Sequence, residues 1–145
     1  KDYDYAFEEE KYRGAPDIRL HEIDVARPLE IAGERIVPVS GHHSERFEVT
    51  GYRIGRMAYL TDFKTIADAE VGKLIGVELL VVNALRFRPH PSHFNVEEAL
   101  ALIARVAPRR ALITHVSHEI GRHAATTALL PRGVELAYDG LEIII

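Results

Sequence analysis

Two hydrophobic rhythms divide the chain. In the first, "IRLHEIDVARPLEIAGERIVPVSGHHS" (residues 18–44) sets short apolar runs between turn residues, and "IAGERI" predicts a hairpin tip. "GYRIGRMAYLTD" (residues 51–62) repeats the pattern, with Gly55 and Arg56 between two short strands. In the second rhythm, helical spacing appears in "IADAEVGKLIG" (residues 66–76). The continuous apolar run "VELLVVNAL" (residues 77–85) then suits a strand covered on both faces.

The clearest helix is "NVEEALALIARVAP" (residues 95–108). Asn95 can cap its free amides, Glu98 holds the capping-box position, and Pro108 ends the run. Val96, Ala99, Leu100, Ile103 and Val106 form its expected buried stripe. "RRALITH" carries a short buried strand from Ala111 to Thr114, "GRHAATTALLP" reads as a helix, and "VELAYDGLEIII" as a closing hairpin turned on Asp139 and Gly140. The order is β-rich, then β-α-β-α-β-β, an α/β pattern with helices packed on a mixed sheet.

A length of 145 residues, 47% hydrophobic and 28% charged, is that of one ordinary globular domain. The net charge of −4 offers no general attraction to nucleic acid or to an anionic membrane. No stretch reaches the apolar length of a membrane span, and "KDYDYAFEEEKYRG" has no signal-sequence character, so a cytoplasmic protein with no membrane partner is expected. The chain has no cysteine. That excludes disulfides, zinc ribbons and thiol nucleophiles, and leaves any metal to histidine and carboxylate ligands.

Candidate chemistry lies in four loops, each after a predicted strand: "GHHSE" (41–45), "LTDFK" (60–64), "RPHPSHFN" (88–95) and "THVSHEIGRH" (114–123). If parallel strands point their carboxyl ends the same way, His43, Asp62, His93 and His115 converge on one rim. Imidazole and carboxylate are suitable zinc donors, and a carboxylate can bridge two ions. Asp62 is the candidate bridge, with a helix cap as its structural alternative. Adjacent residues on a strand face opposite ways, so His42 and His43 cannot both face the site, and periodicity does not choose between them. Pro89 and Pro91 would hold His93 stiffly before a helix start, where a group that donates a proton or grips an anion is useful. Arg86 and Arg88 could steer a phosphate. His118 and His123 could coordinate a metal or support a ligand through a ring hydrogen bond. His21 and His90 read as structural or surface residues.

Together, "VPVSGHHS", "GYRIG", "AYLTDFKTI", "VVNALRFRPHPSHFNVEEAL", "ALITHVSHEIG" and "LPRGVELAYDGLEI" resemble the metallo-β-lactamase superfamily, in family order from about residue 36 onward. The resemblance is to its phosphodiesterase-like branch, which includes the cyclic-phosphate phosphodiesterase of phosphonate breakdown. It implies an αββα sandwich, of which this chain would be the C-terminal half: a mixed sheet with helices on its outer face. It implies two divalent ions, zinc or manganese, with His43 on the first, His115 on the second and Asp62 bridging both. His93 would stand near the leaving group as general acid or oxyanion partner, with His118 supporting His115. The implied reaction is hydrolysis of a small phosphodiester or nucleotide substrate through a hydroxide between the ions.

The family's His-x-His-x-Asp-His motif, which supplies four further ligands, is absent from these 145 residues. Residues 1–145 are therefore expected to be a single partial domain, associated with a missing N-terminal half or with itself. Alone, it is expected to be inactive and to bind metal weakly or not at all. The alternative from another class is a non-catalytic half-domain, a binding or assembly module without metals. Thioester or lactam hydrolysis on the same scaffold is a third option.

Overall fold

The computed structural model describes residues 18–145 and, before them, Phe7, Arg13, Gly14 and Pro16. Ala32 and Gly33 take φ values of 53° and 83°, the two-residue turn whose twist matches paired strands. The turn joins β1 (Leu29–Ile31) to β2 (Glu34–Ser44), as "IAGERI" predicts. Strands β3 (Phe47–Ile54) and β4 (Met57–Leu60) follow through tight turns, and all pairings from β1 to β4 are antiparallel. From β4 onward the pairings are parallel, through β5 (Leu79–Asn83), β6 (Arg110–Thr114) and β7 (Val134–Leu136). The seven strands lie in chain order in one sheet.

Three helices fill the crossovers: α1 (Asp68–Gly72), α2 (Val96–Val106) and α3 (His123–Thr127). The capping box of α2 forms as expected: the Asn95 side chain accepts from the Glu98 amide, and Glu98 accepts from the Asn95 amide, both at 2.8 Å. Ala107 ends the helix in a left-handed conformation just before Pro108. The buried stripe is Val96, Ala99, Leu102, Ile103 and Val106. Leu100, expected in it, is only partly buried, because the contact face is turned toward Leu102.

Strand alternation gives the sheet two unlike faces. Leu80, Val82, Ala111 and Ile113 join Val39, Ala58 and Leu60 under the helices in the main core. Leu79, Val81 and Leu112 point the other way and meet Met57, Ala137, Leu141 and Ile143. All five residues of β5 are buried, as its unbroken apolar run predicts.

The predicted closing hairpin does not form. β7 pairs in parallel with β6, and although the chain turns at Asp139 and Gly140, residues 141–145 make no strand. After that turn the chain crosses the sheet's second face, where burying Leu141 and Ile143 replaces edge pairing. Among the described residues, no helix is long and apolar enough to cross a membrane.

Strand direction sets where the loops meet. β2 and β4 are each antiparallel to β3, so they run together, and β5 and β6 run parallel to β4. The carboxyl ends of all four strands therefore reach one rim.

Candidate metal centre

Asp62 stands two residues beyond β4 and is held by its neighbour. Phe63 is fully buried, and its ring fits under β2 only because residue 41 is glycine: a Cβ there would lie 2.2 Å from the ring. Asn83, fully buried at the end of β5, grips the Phe63 backbone twice. Its Oδ1 accepts from the Phe63 amide at 2.8 Å, and its Nδ2 donates to the Phe63 carbonyl at 2.9 Å. That carbonyl also accepts from the Phe94 amide at 2.8 Å. Asp62 and His93 each precede one of these two phenylalanines, so one backbone bond sets their spacing.

Three imidazoles gather on Asp62. His93 Nε2 lies 3.3 Å and His115 Nε2 3.4 Å from Asp62 Oδ1, and His43 Nδ1 lies 3.0 Å from the Asp62 carbonyl. The His93 and His115 rings stack at 4.7 Å, and the His43 ring meets His93 edge-on at 4.5 Å. Donor atoms of His43, Asp62 and His93 all lie within 4.8 Å of one another. Asp62 and His115 adopt left-handed φ values of 65° and 58°. Such a backbone costs a non-glycine residue about 1–2 kcal/mol, and strain of this kind collects at functional sites.

The electrostatics separate the roles of these groups. Burial pushes the Asp62 carboxyl up, but the Thr61 hydroxyl, His115 and His93 together outweigh it and hold the acid below its ordinary range. Burial pushes His93 down, and His115 and His43 add to this against the pull of Asp62. His93 is therefore neutral near pH 7, and its contact with Asp62 is not an ion pair. Imidazole nitrogens gathered around the ionised Asp62 carboxylate are a nitrogen and oxygen donor set, and the donors present fit a divalent ion.

Residues 1–116 match the beta-lactamase superfamily domain. The chain belongs to that family. A diphosphatase of the PhnP family superposes with a TM-score of 0.85 at 35% identity, over 90% of this chain and 50% of its own. YhfI of Bacillus subtilis, a metallo-beta-lactamase fold protein, gives 0.64 at 17% identity, over 82% of this chain and 53% of its own. Human tRNase Z, short form, gives 0.60 at 16%, over 78% of this chain and 44% of its own; these last two likenesses speak for the fold alone. An octanoyltransferase of Porphyromonas gingivalis (strain ATCC BAA-308 / W83) is 37% identical over 142 residues, which are 97% of this chain and 29% of that protein. The chain thus spans half of the diphosphatase and under a third of the octanoyltransferase. The α/β fold is that of the metallo-β-lactamase hydrolases, a fold that implies divalent metal ions.

Within this superfamily fold the four expected loops meet, and the structure sorts the remaining candidates. Asp62 caps no helix, since the residue before α1 is Ala67. Of the adjacent histidines, His43 faces Asp62. His42 is exposed beside a cavity of about 520 Å³ that it lines with Ser44, Glu45, Lys64, Thr65 and Pro91. Arg86 and Arg88 turn their guanidiniums to Glu119, at 2.5 and 2.6 Å, and hold its carboxyl below the usual range. His118 is exposed at the start of a short 3-10 helix. His123 lies 2.9 Å from the Leu136 carbonyl with its ring against Tyr138, outside the cluster. His21 is exposed.

Two participants escaped the sequence reading. Asn83 had one signal, a polar residue closing an apolar strand. His90, expected to be structural or at the surface, is half-buried with its ring 5.1 Å from that of His93.

Proposed function

We propose that this chain carries one side of the catalytic centre of a phosphodiesterase. The observation behind this reading is the gathering of three imidazoles on Asp62, two of them within 3.4 Å of one carboxylate oxygen and the third on its backbone carbonyl. His43, Asp62 and His115 would hold two divalent ions, zinc or manganese, with Asp62 serving both. Asp62 and His115 keep 37% and 39% of their side-chain surface exposed, which leaves room for ligands from outside these residues. When bound, such ions polarise a phosphoryl oxygen and lower the pKa of water.

The chain's own residues supply the rest. His93 is only 12% exposed, which shields it from bulk water. Its Nε2 faces the cluster and, when protonated, can hand a proton to the departing oxygen as the phosphorus–oxygen ester bond breaks. A small phosphodiester or nucleotide is the substrate class, supported by the 35% identical diphosphatase. The missing half of the sandwich, or a second copy of the chain, would complete the ligand set from the open side of the rim. A non-catalytic module has no use for strained Asp62 and His115 backbones aimed at one point, which favours the hydrolase.

The test is metal analysis with hydrolysis of bis(4-nitrophenyl) phosphate, in zinc and in manganese, on the protein with its completing half. Bound metal and turnover that both vanish in Asp62→Asn are expected. A metal-free protein without turnover would sink the reading. A second reading, acyl ester or thioester hydrolysis, is favoured by the relationship to the octanoyltransferase. Cleavage of 4-nitrophenyl octanoate in preference to the phosphodiester would select it.

A further inference from the structure

Three short segments wall the cavity of about 520 Å³ beside His42, and each adjoins or contains a member of the histidine–aspartate cluster. Residues 42–45 contain His43, Lys64 and Thr65 follow Asp62, and Pro91 stands two places before His93. The first two segments are locked together. The His42 amide donates to the Thr65 carbonyl at 3.0 Å, and the Lys64 and Thr65 amides donate to the His42 carbonyl at 2.7 and 3.1 Å. The cavity is therefore a fixed neighbour of the cluster, and one wall of it is the loop that bears His93.

Its chemistry suits a neutral, polar molecule with a flat part. Lys64 Nζ spends one of its three protons on Glu98 Oε1 at 2.6 Å, which balances its charge and leaves two N–H groups. Ser44 Oγ accepts from the Arg46 amide at 3.4 Å and keeps its own proton to donate. Glu45 adds an acceptor and a negative charge, so a second phosphate would gain little here. The exposed His42 ring and Pro91 supply flat surface. A volume of this size takes a ligand with several rings, far larger than a methyl or ethyl group.

We propose that this cavity holds the leaving group of the reaction and that the leaving group is a nucleoside, its base lying on the His42 ring and its sugar hydroxyl and base edge bonded by Ser44, Lys64 and Glu45. The reaction rests on the hydrolase reading; the binding does not. In that reading His93 faces the departing oxygen, and a cavity walled by its own loop is where the departing group belongs. Water's oxygen joins phosphorus, the bond to the leaving oxygen breaks, and that oxygen takes a proton and leaves as the nucleoside's hydroxyl. Removing an aromatic ring on which a base stacks changes affinity about 5–100-fold, which makes His42 the specificity-determining residue.

The experiment uses the protein with its completing half, in zinc and in manganese, and two esters of methyl phosphate: methyl thymidine 5′-phosphate and ethyl methyl phosphate. Release of methyl phosphate reports departure of thymidine from the first and of ethanol from the second. The expected kcat/KM is about 5–100-fold higher for the thymidine ester. That preference should fall toward one in His42→Ala, which removes the ring, and in Thr65→Trp, which fills the cavity from an exposed position on another wall. Free thymidine should compete with the thymidine ester and shift the amide NMR signals of residues 42–45 and 64–65. Equal use of the two esters, departure of methanol in place of thymidine, or thymidine that leaves these amides unmoved would overturn the proposal. If thymidine shifts these amides in the parent and not in His42→Ala, but neither ester is hydrolysed, the nucleoside site stands and only the hydrolase reading falls.

Discussion

The two ends of the parallel strands treat charge in opposite ways. At their amino ends opposite charges pair: Arg56 meets Glu78 at 2.8 Å, and Arg110 forks onto Glu135 at 3.1 and 3.2 Å. At their carboxyl ends three imidazoles crowd one aspartate, two on its carboxylate and one on its backbone carbonyl, and two of the residues involved adopt backbone conformations that L side chains resist. The first arrangement satisfies itself. The second would be satisfied by a cation in the middle of the cluster, which on the proposed reading is how a functional rim differs from a structural one on the same sheet.

The largest effect should follow from removing the centre of that cluster. Asp62→Asn is expected to lower metal occupancy and turnover by more than about 100-fold, read by metal analysis and steady-state kinetics. Next, Asn83→Leu strands the buried Phe63 amide, at about 1–3 kcal/mol. Thermal unfolding should show a melting point lower by about 3–10 °C, with metal affinity falling as Asp62 loosens. Unchanged metal affinity would detach Asn83 from the site.

A smaller effect concerns pH. Burial first, then the charge of Arg86, holds His90 below its ordinary 6.5, and burial with the neighbouring imidazoles does the same to His93. For such groups the unfolded chain binds more protons than the folded one. Stability is thus full above 6.5 and declines as the pH falls through the lowered values. Melting curves of chelator-treated protein should show this decline, and His90→Gln combined with His93→Gln should flatten it. A melting point that rises on acidification would contradict the argument. The smallest effect is expected at the other end of the strands. Arg56→Ala removes an exposed ion pair worth under about 1 kcal/mol and should leave turnover unchanged; a large loss would erase the contrast between the two ends.

What could be read from the sequence was local or directional. The capping box at Asn95 and Glu98 and the buried run of β5 depend on neighbouring residues, and both are present. The meeting of four loops depends on strand direction, which the alternation of α and β segments implies. What escaped depends on tertiary geometry. Arg86 and Arg88 look available for a phosphate until Glu119 arrives from another loop. The choice of His43 over His42 is made by a register shift between His42 and Ser44 that no periodicity reveals. His90 became visible only when the proline-rich loop folded back, and the tail after Gly140 was misread because a turn signal does not say what the chain will lie against.

The bond between the Phe94 amide and the Phe63 carbonyl has a mechanical side. It ties the loops after β4 and β5 into one moving part, with buried Asn83 as its rivet. The segment that bears His115 is fastened to the same part, by the Ala84 amide on the Thr114 carbonyl at 3.0 Å and the Ser117 amide on the Leu85 carbonyl at 2.9 Å, so any opening that admits a substrate must carry Asp62, His93 and His115 together. Distance labels between residues 62 and 93 and between 93 and 115 should both stay constant through a catalytic cycle.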